Sequence, residues 1–452
     1  MTDPRSYLAE HRPAQLEELF KLLRIPSVSA VARHRGDILS AAGAFADLMR
    51  RSGLERVAVL ETGGHPVVYG EHLHSPGHPT VLVYGHYDVQ PPEPLELWHS
   101  PPFEPEVRDG RIFARGSTDD KGQVTMHILV AGALIGLGAL PLNLKFLIEG
   151  EEEIGSVHLG DFIAQHKDLL AADYVVISDS TMLRPGVPAL CIGLRGLAGL
   201  ELRLRTAQHD LHSGTFGGAV PNAAHVLVDL LASLHDSEGR VSVEGFYDDV
   251  KDLTPSERRA FASLPLTDAE FLDQSGAYRL YGESGRTTLE RVWTRPTLEL
   301  NGIWSGFTGE GRKTVIPCEA GAKITCRLVP NQDPDKVLAA LARHLRRHCP
   351  DTTQLEIMDP GGAPAFLAPQ GHPALRAAEL ALREAYGHDP DVIRMGGSIP
   401  VVTAFQEILG LPTLLMGFGL PDENLHAPDE HFSLENFAKG MVALWRFWQL
   451  AA

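Results

Sequence analysis

The sequence has few cysteines and no long apolar run, and each shortage excludes a class of protein. Its four cysteines, Cys191, Cys318, Cys326 and Cys349, have a spacing that fits neither a disulfide scaffold nor a Cys-x-x-Cys zinc site. No apolar stretch approaches the roughly 20 residues that span a bilayer. The polar first ten residues lack the apolar core of a signal peptide. We therefore expect a cytoplasmic protein with reduced thiols.

Basic residues are also in short supply. The chain has 40 Lys and Arg against 58 Asp and Glu, a formal net charge of -18, whereas proteins that bind nucleic acid or anionic membranes present basic patches. We therefore expect no nucleic-acid and no membrane partner. With 44% hydrophobic and 22% charged residues, the 452-residue chain has a globular composition. Its length exceeds the roughly 100–200 residues of one domain, which predicts two domains.

Apolar, partly β-branched runs alternate with amphipathic stretches near both ends of the chain. The predicted strands cover residues 80–84, 143–148, 174–178 and 413–417, and the predicted helices cover residues 7–24, 36–53, 124–137 and 157–170. Short continuous apolar runs are typical of strands buried on both faces. Their alternation with helices predicts an α/β domain with a mostly parallel sheet. Such sheets bind ligands beyond the carboxyl ends of their strands.

The middle of the chain has a different pattern, which predicts the β-α-β-β-α-β order of a ferredoxin-like α+β unit. The strands cover residues 197–205, 297–304, 321–329 and 353–357, and the helices cover residues 221–234 and 334–348. The polar residues 236–295 are an excursion from this order. We therefore expect one domain formed by residues 1–195 and 359–452, with a second domain, residues 196–358, inserted into it.

Acidic and imidazole side chains follow the predicted strands of the first domain. They are His86, Asp88, Asp119 in a turn before a helix, Glu151–Glu153, Asp179 and His426. Each alone is more typical of a solvated loop, but together they would meet at one edge of a parallel sheet. Imidazole and carboxylate groups are ligands of Zn²⁺ and Mn²⁺, and a carboxylate such as Asp119 can bridge two ions. The pattern therefore predicts a metal centre.

A centre of this kind predicts a hydrolase. Two ions about 3.5–4 Å apart can hold a hydroxide between them and polarise a carbonyl group. Of the neighbouring Glu152 and Glu153, one can bind metal while the other moves protons between water and the leaving group. Asp88, two residues after His86, is placed to accept a hydrogen bond from a ligand imidazole and to orient it.

Nine segments of the chain resemble a known family of dinuclear-zinc metallopeptidases, typified by carnosinase, carboxypeptidase G and aminoacylase. The segments are YGHYDVQP (84–91), GSTDDKG (116–122), EGEEEIGS (149–156), SD (178–179), DLHSGTFGG (210–218), KTVIP (313–317), RLVP (327–330), GGSIP (396–400) and His426. The resemblance runs from about residue 19 to the end of the chain. It is closest to the cytosolic non-specific dipeptidase branch.

The resemblance implies a role for each predicted ligand. It implies that His86, Asp119 and Asp179 hold one ion and that Asp119, Glu153 and His426 hold the other. Each subunit would hold two divalent metal ions. Zn²⁺ is the expected ion, and Mn²⁺ and Co²⁺ are the alternatives. The family pattern Glu-Glu-x-Gly-Ser makes Glu152 the general base and leaves Glu151 outside the site. It also implies a cis peptide between Asp119 and Asp120.

The resemblance further implies that the inserted domain is a lid and dimerisation domain. His212 matches a family histidine that reaches the site of the partner subunit and stabilises the oxyanion, so we expect a homodimer. Arg327 matches the residue that binds the terminal carboxylate of the substrate, a task suited to a guanidinium group. Thr314 and Ser398 match further substrate contacts.

One residue departs from the dipeptidase pattern. Met395 stands where that branch has a glutamate that meets the free amine of the substrate, and a thioether cannot form this ion pair. The predicted function is hydrolysis of the amide bond of dipeptides or similar short substrates with a free terminal carboxylate. The alternative is an N-acyl amino acid deacylase or a carbamoyl hydrolase, which Met395 favours. A metal-binding protein without catalysis is a third reading, which the presence of both Glu152 and His212 disfavours.

Overall fold

The computed structural model describes residues 2–369, 371–397 and 399–452. Its α-helices are α1 (Pro4–Leu23), α2 (Arg35–Arg51), α3 (Lys121–Gly136), α4 (Leu159–Gln165), α5 (Lys167–Leu170), α6 (Ser213–Phe216), α7 (Ala223–Ala232), α8 (Pro255–Ala262), α9 (Asp268–Ser275), α10 (Thr288–Thr294), α11 (Pro334–His348), α12 (Pro373–Tyr386), α13 (Pro400–Ala404) and α14 (Leu434–Leu450). Within the described ranges, none of the helices is both long enough and apolar enough to cross a bilayer.

The strands alternate with these helices along much of the chain. They are β1 (Glu55–Leu60), β2 (Val67–His72), β3 (Thr80–His86), β4 (Glu106–Arg108), β5 (Arg111–Phe113), β6 (Asn143–Glu149), β7 (Tyr174–Ile177), β8 (Ala189–Leu194), β9 (Gly196–Arg205), β10 (Leu211–His212), β11 (Thr297–Ser305), β12 (Val315–Ile316), β13 (Glu319–Leu328), β14 (Gln354–Ala363), β15 (Phe366–Leu367), β16 (Asp391–Met395), β17 (Thr413–Leu415) and β18 (His431–Ser433).

The chain folds into two compact units. The first consists of Met1–Ile192, Ala368–Ile393 and Pro400–Ala452, and the second consists of Gly193–Leu367 and Arg394–Ile399. The second unit extends past residue 358 because β14 continues through an irregularity between Met358 and Gly361.

The first unit contains a mixed sheet whose central strands are parallel. The strand order is β1-β2-β6-β3-β7-β17-β8. The neighbouring pairs β6-β3, β3-β7 and β7-β17 are parallel. The pairs β1-β2, β2-β6 and β17-β8 are antiparallel. Nearly all residues of β3, β6 and β7 are buried, as expected for strands covered on both faces. The predicted α/β fold with a mostly parallel sheet is confirmed.

Helices of the first unit pack closely with this sheet and with one another. α3 contacts β3, and α14 contacts both α3 and α12. Trp445 and Trp448 of α14 are completely buried, so the last helix of the chain is part of the core. A separate small sheet, β18-β5-β4, joins the segment before α14 to the segment before α3.

The second unit contains an antiparallel sheet with the strand order β11-β13-β9-β14. Apolar residues of α7 and α11, such as Leu227 and Leu341, form one buried core with the strands. Along the chain the order is β9-α7-β11-β13-α11-β14, which is the β-α-β-β-α-β order of a ferredoxin-like unit. The polar excursion, residues 236–295, contains three short helices, α8, α9 and α10.

Candidate metal centre

Parallel strands bring the predicted metal ligands to one edge of the first unit's sheet. β3 ends at His86, Glu152 and Glu153 follow the end of β6, and Asp179 follows the end of β7. Because β6, β3 and β7 run in the same direction, their carboxyl ends lie side by side. The polar side chains that follow these strands therefore converge, at the position where ligand sites of α/β sheets lie.

The two carboxylate oxygens of Asp119 face two different imidazoles. Nε2 of His86 lies 3.0 Å from Oδ1, and Nε2 of His426 lies 2.8 Å from Oδ2. Asp119 is in the turn before α3, and the peptide bond between it and Asp120 is cis, as the resemblance implies. Each oxygen of Asp119 is thus directed at a separate group of donors.

Two groups of potential metal ligands share Asp119. One consists of His86, Asp119 and Asp179, the other consists of Asp119, Glu153 and His426, and within each group the ligand atoms lie within 4.8 Å of one another. The structure therefore brings together all five residues that the resemblance assigns to metal binding. Glu152 belongs to neither group, although it is adjacent to Glu153.

Carboxylates outnumber imidazoles in this centre, and the pKa values reflect the imbalance. Burial, together with the charge of Asp179, raises the pKa of Glu152 to about 9, although His86 opposes this shift. Burial and the charge of Asp119 raise the pKa of Glu153 to about 8 and that of Asp179 to about 6. Such shifts are expected where like charges are crowded together in a buried position.

The imidazoles shift in the opposite sense. The hydrogen bond to Asp119 raises the pKa of His426 to about 9. Although burial opposes it, hydrogen bonding to His426 and His86 holds the pKa of Asp119 well below its usual range. Asp119 therefore remains ionised, as a carboxylate that binds metal must.

Asp88 organises the turn that carries the two glutamates. Its carboxylate accepts hydrogen bonds from the backbone N–H groups of Glu152, at 3.2 Å, and Glu153, at 3.0 Å. Nδ1 of His86 lies 3.1 Å from the backbone oxygen of Asp88 and 3.4 Å from its Oδ1. Asp88 thus contacts the imidazole chiefly through its backbone oxygen, whereas its carboxylate holds the backbone of the neighbouring acidic turn.

Sequence reasoning missed Gln90. Its Nε2 donates to Oε2 of Glu153, at 2.7 Å, which orients this carboxylate. A signal for it exists, because side chains two residues apart on an extended segment point to the same side. His86, Asp88 and Gln90 follow this spacing.

Sequence reasoning also missed the buried Glu430, which holds the loop around Asp119. Its Oε1 accepts hydrogen bonds from the backbone N–H groups of Thr118 and Asp119, at 3.0 and 3.2 Å. Its Oε2 accepts from the N–H of Gly116, at 2.9 Å, and from Nη1 of the buried Arg115, at 2.7 Å. A single acidic residue in a polar loop gives no sequence signal for such a role.

The remaining predicted site residues belong to the second unit. The side chain of His212 is exposed at the end of β10, and its Nδ1 accepts the N–H of Gly214, at 3.0 Å. The carbonyl oxygen of Thr314 accepts a hydrogen bond from the N–H of Ser213, at 3.1 Å. Strands β10 and β12 form an antiparallel pair in which His212 faces Val315, so Thr314 lies close to His212. Arg327 lies near the end of β13, half-buried. Ser398 lies outside the described residues.

The sequence matches a known family over most of its length. Residues 82–450 match the profile of Peptidase family M20/M25/M40. The chain belongs to this family. The resemblance inferred from the nine segments is therefore confirmed, and the protein is a peptidase enzyme.

Individual members of the M20/M25/M40 family are similar over nearly the whole chain. The Beta-Ala-His dipeptidase of Homo sapiens is 32% identical, covering 96% of this chain and 89% of the human protein. The Cys-Gly metallodipeptidase DUG1 of Candida albicans is 31% identical, covering 97% and 94%. The structure of the M20 family metallo-carboxypeptidase Sso-CP2 from Sulfolobus solfataricus is 33% identical, covering 97% and 99%, with a TM-score of 0.86.

The donor set of this M20-family chain fits a pair of divalent cations. Imidazole nitrogen and carboxylate oxygen are ligands for Zn²⁺, Mn²⁺ and Co²⁺. The shared position of Asp119 gives each group one carboxylate oxygen. The excess of carboxylates provides negative charge that a cation would compensate. The residues therefore fit the metal chemistry implied by the family.

Proposed function

We propose that this protein is a metal-dependent dipeptidase that hydrolyses the amide bond of short substrates with a free terminal carboxylate. The observation that carries the proposal is the position of Asp119 between two donor groups, with one oxygen directed at His86 and the other at His426. The named relatives support it, since the human and Candida albicans proteins are both dipeptidases by name.

Two ions, Zn²⁺ in this proposal, would be held by the five ligand residues. His86 and Asp179 would hold one, Glu153 and His426 the other, and Asp119 would contact both. When bound, such ions polarise a substrate carbonyl and lower the pKa of a water molecule between them. Gln90 and Asp88 would keep Glu153 and its turn in place during the reaction.

Glu152 is the residue proposed to move the proton. It is largely buried beside Glu153 and is outside both ligand groups, so its carboxylate is available for chemistry. Cations bound next to it would lower the pKa of its carboxyl group. The ionised carboxylate would then accept a proton from the attacking water and pass it to the departing amine, and Glu153 would bind metal.

The second unit would supply the contacts to the substrate. Arg327 would bind the terminal carboxylate, Thr314 and Ser398 would add hydrogen bonds, and His212 of the partner subunit would stabilise the oxyanion. This role requires a homodimer formed through the inserted domain. The exposed edge strand β11 supports it, because Ile303 is 58% exposed and Trp304 is 40% exposed on a strand with one neighbour. An apolar edge of this kind is suited to pairing with another chain.

A substitution at Glu152 tests this proposal directly. Glu152→Gln should abolish dipeptide hydrolysis and leave the metal content unchanged, because the carboxylate is lost without loss of a ligand. Glu151→Gln is the matched control in the same turn. Glu151 accepts hydrogen bonds from His65 N–H and from His158, so this control should lower the melting temperature and retain turnover. Turnover near that of the wild type in Glu152→Gln would remove Glu152 from the proposed role.

Met395 favours a second candidate function, removal of an N-acyl or carbamoyl group from an amino acid. It occupies the end of β16, and the adjacent Arg394 pairs with Glu257, at 3.0 Å. Position 395 thus provides no carboxylate for a substrate amine. Comparing kcat/KM for a free dipeptide and its N-acetylated form decides between the two candidates. Preference for the free amine supports the dipeptidase, and preference for the acetylated form supports the deacylase.

We also propose that the protein acts in the cytoplasm. The observation that supports this location is that Cys318, Cys326 and Cys349 are free thiols, since disulfides are rare in reducing compartments.

A further inference from the structure

A third group of potential metal ligands lies on the antiparallel strands β1 and β2, at one edge of the first unit's sheet. It consists of Glu55, the first residue of β1, His72, the last residue of β2, and His74 in the loop that follows. β1 and β2 are antiparallel neighbours, and this pairing brings the start of one strand beside the end of the other. One ligand atom from each residue lies within 4.8 Å of the other two.

An ordinary ion pair accounts for only part of this arrangement. Nε2 of His74 lies 3.0 Å from Oε1 of Glu55, which would be sufficient for a histidine–carboxylate pair at the surface. The ring of His72, however, lies 4.4 Å from that of His74, centre to centre. Its Nδ1 atom is shielded from solvent. The ion pair between His74 and Glu55 does not need the imidazole of His72. A cation bound by His74 and Glu55, however, could use this imidazole as a third ligand.

The backbone around the three residues is held in place. The N–H of Ser75 donates to Oδ1 of Asn143, at 2.9 Å, and Nδ2 of Asn143 donates to the carbonyl oxygen of Ser75, at the same distance. This pair fixes the loop directly after His74. The side chains of His74 and Glu55 are 56% and 60% exposed, so they can rotate to the donor separation of roughly 3.4 Å that tetrahedral zinc requires. Their exposure also leaves room for a water molecule as fourth ligand.

This group is separate from the centre around Asp119. β2 is antiparallel to β6, and His72 pairs with Leu144 near the start of β6, whereas the catalytic glutamates follow its end at Glu149. Five strand residues span roughly 17 Å. The two sites therefore cannot share a ligand.

We propose that Glu55, His72 and His74 form an additional site for one divalent transition-metal ion of the zinc class. Two imidazole nitrogens and one carboxylate oxygen are a donor set that zinc uses in proteins. The ion would link the edge strand β1 to the loop after β2, and it would be bound and released without affecting the ions at Asp119. The proposal does not rest on the proposed function, since it concerns different residues.

Zinc counting tests the additional site. The full-length protein would be dialysed to equilibrium against a series of free Zn²⁺ concentrations, and the zinc per chain measured by atomic absorption. The variants would be His74→Asn and Glu55→Gln, both at exposed side chains, with His11→Asn as a matched control. His11 is an exposed histidine of the same unit whose Nδ1 contacts the carbonyl oxygen of Tyr7.

We expect His74→Asn to hold one zinc ion fewer per chain than the wild type and His11→Asn. Glu55→Gln should bind this ion at least about tenfold more weakly, since loss of a ligand costs no less than loss of an outer-shell contact. Turnover of a dipeptide should be equal in all four proteins. Equal zinc counts in the wild type and His74→Asn would overturn the proposal, whatever number of ions the other centre holds. Loss of turnover in His74→Asn would also overturn it, because the ion would then belong to the catalytic centre.

Discussion

Nε2 of His426 lies 2.8 Å from Oδ2 of Asp119, although 307 positions separate the two residues in the chain. The small sheet explains how they meet. β5 directly precedes the turn that carries Asp119, β18 follows the loop that carries His426, and Phe113 of β5 pairs with His431 of β18. The second imidazole, of His86, contacts the other oxygen of the same carboxylate. Neither donor group is therefore complete without Asp119.

The shared position of Asp119 predicts different metal losses for two variants. Asp119→Asn removes the carboxylate that both donor groups share, so we expect it to lose both ions. His426→Asn removes a ligand from one group only, so we expect it to lose one ion and retain the other. Metal content after dialysis against a fixed Zn²⁺ concentration distinguishes these outcomes. Equal losses in the two variants would show that Asp119 does not bridge.

The buried pair of Glu430 and Arg115 predicts a large loss of stability in Glu430→Gln. The amide would leave the guanidinium of Arg115 without a counter-charge and would direct N–H groups at the backbone N–H donors of the Asp119 loop. Breaking a buried pair in this way costs about 3–5 kcal/mol. Denaturant unfolding of the metal-free protein measures it.

Glu435→Gln is the control for this variant. Glu435 is 69% exposed and pairs with Lys439 on the surface of α14, where such pairs contribute little. We expect its unfolding midpoint to remain that of the wild type. The same titrations with added Zn²⁺ should show weaker metal stabilisation in Glu430→Gln, because the Asp119 loop is displaced. Unchanged metal stabilisation would limit Glu430 to a structural role.

The parallel strands and their ligands could be predicted from the sequence because each strand is an unbroken apolar run followed by a polar group. β3, predicted over residues 80–84, extends over Thr80–His86, and β6, predicted over 143–148, extends over Asn143–Glu149. Helix α11 has the predicted limits, Pro334–His348. Burial on both faces leaves little choice of residue type in such strands, so the pattern is clear.

Elements whose residues are only partly buried could not be recognised in this way. β1 is largely exposed, and helices α8 and α9 of the polar excursion have few buried residues. Those helices do carry a local signal, since Thr254 and Glu257 form a capping box at α8 and Thr267 and Glu270 form another at α9. Residues 157–170 were predicted as one helix, but α4 ends at Gln165 and α5 begins at Lys167.

Buried His127 predicts a dependence of stability on pH. Burial lowers its pKa from 6.5 to about 3, so the folded protein excludes a proton that the unfolded chain binds below pH 6.5. Stability is therefore full above this pH and falls as the pH is lowered towards 3. Between pH 7 and pH 5 this one residue should cost about 2 kcal/mol.

The variant His127→Gln isolates this contribution. It removes the titrating group and keeps a side chain that can contact Oγ of Ser178, which lies 2.7 Å from Nε2 of His127. Urea unfolding at pH 7 and pH 5 should show a pH-dependent loss that is about 2 kcal/mol smaller in the variant than in the wild type. An equal loss in both proteins would mean that His127 is not the titrating group.

The proposed exchange of His212 between subunits predicts that two inactive variants restore each other. In a mixed dimer of His212→Ala and Glu152→Gln, one site combines both substitutions and is inactive. The other combines the intact Glu152 of one chain with His212 of the partner subunit, so it is active. Equal amounts of the two chains, exchanged at random, form mixed dimers in half of all cases, and about a quarter of wild-type activity should return. Each variant alone, treated identically, is the control. If His212 acts within its own chain, every site lacks one residue and no activity returns, so the mixture separates the two arrangements without a structure of the dimer.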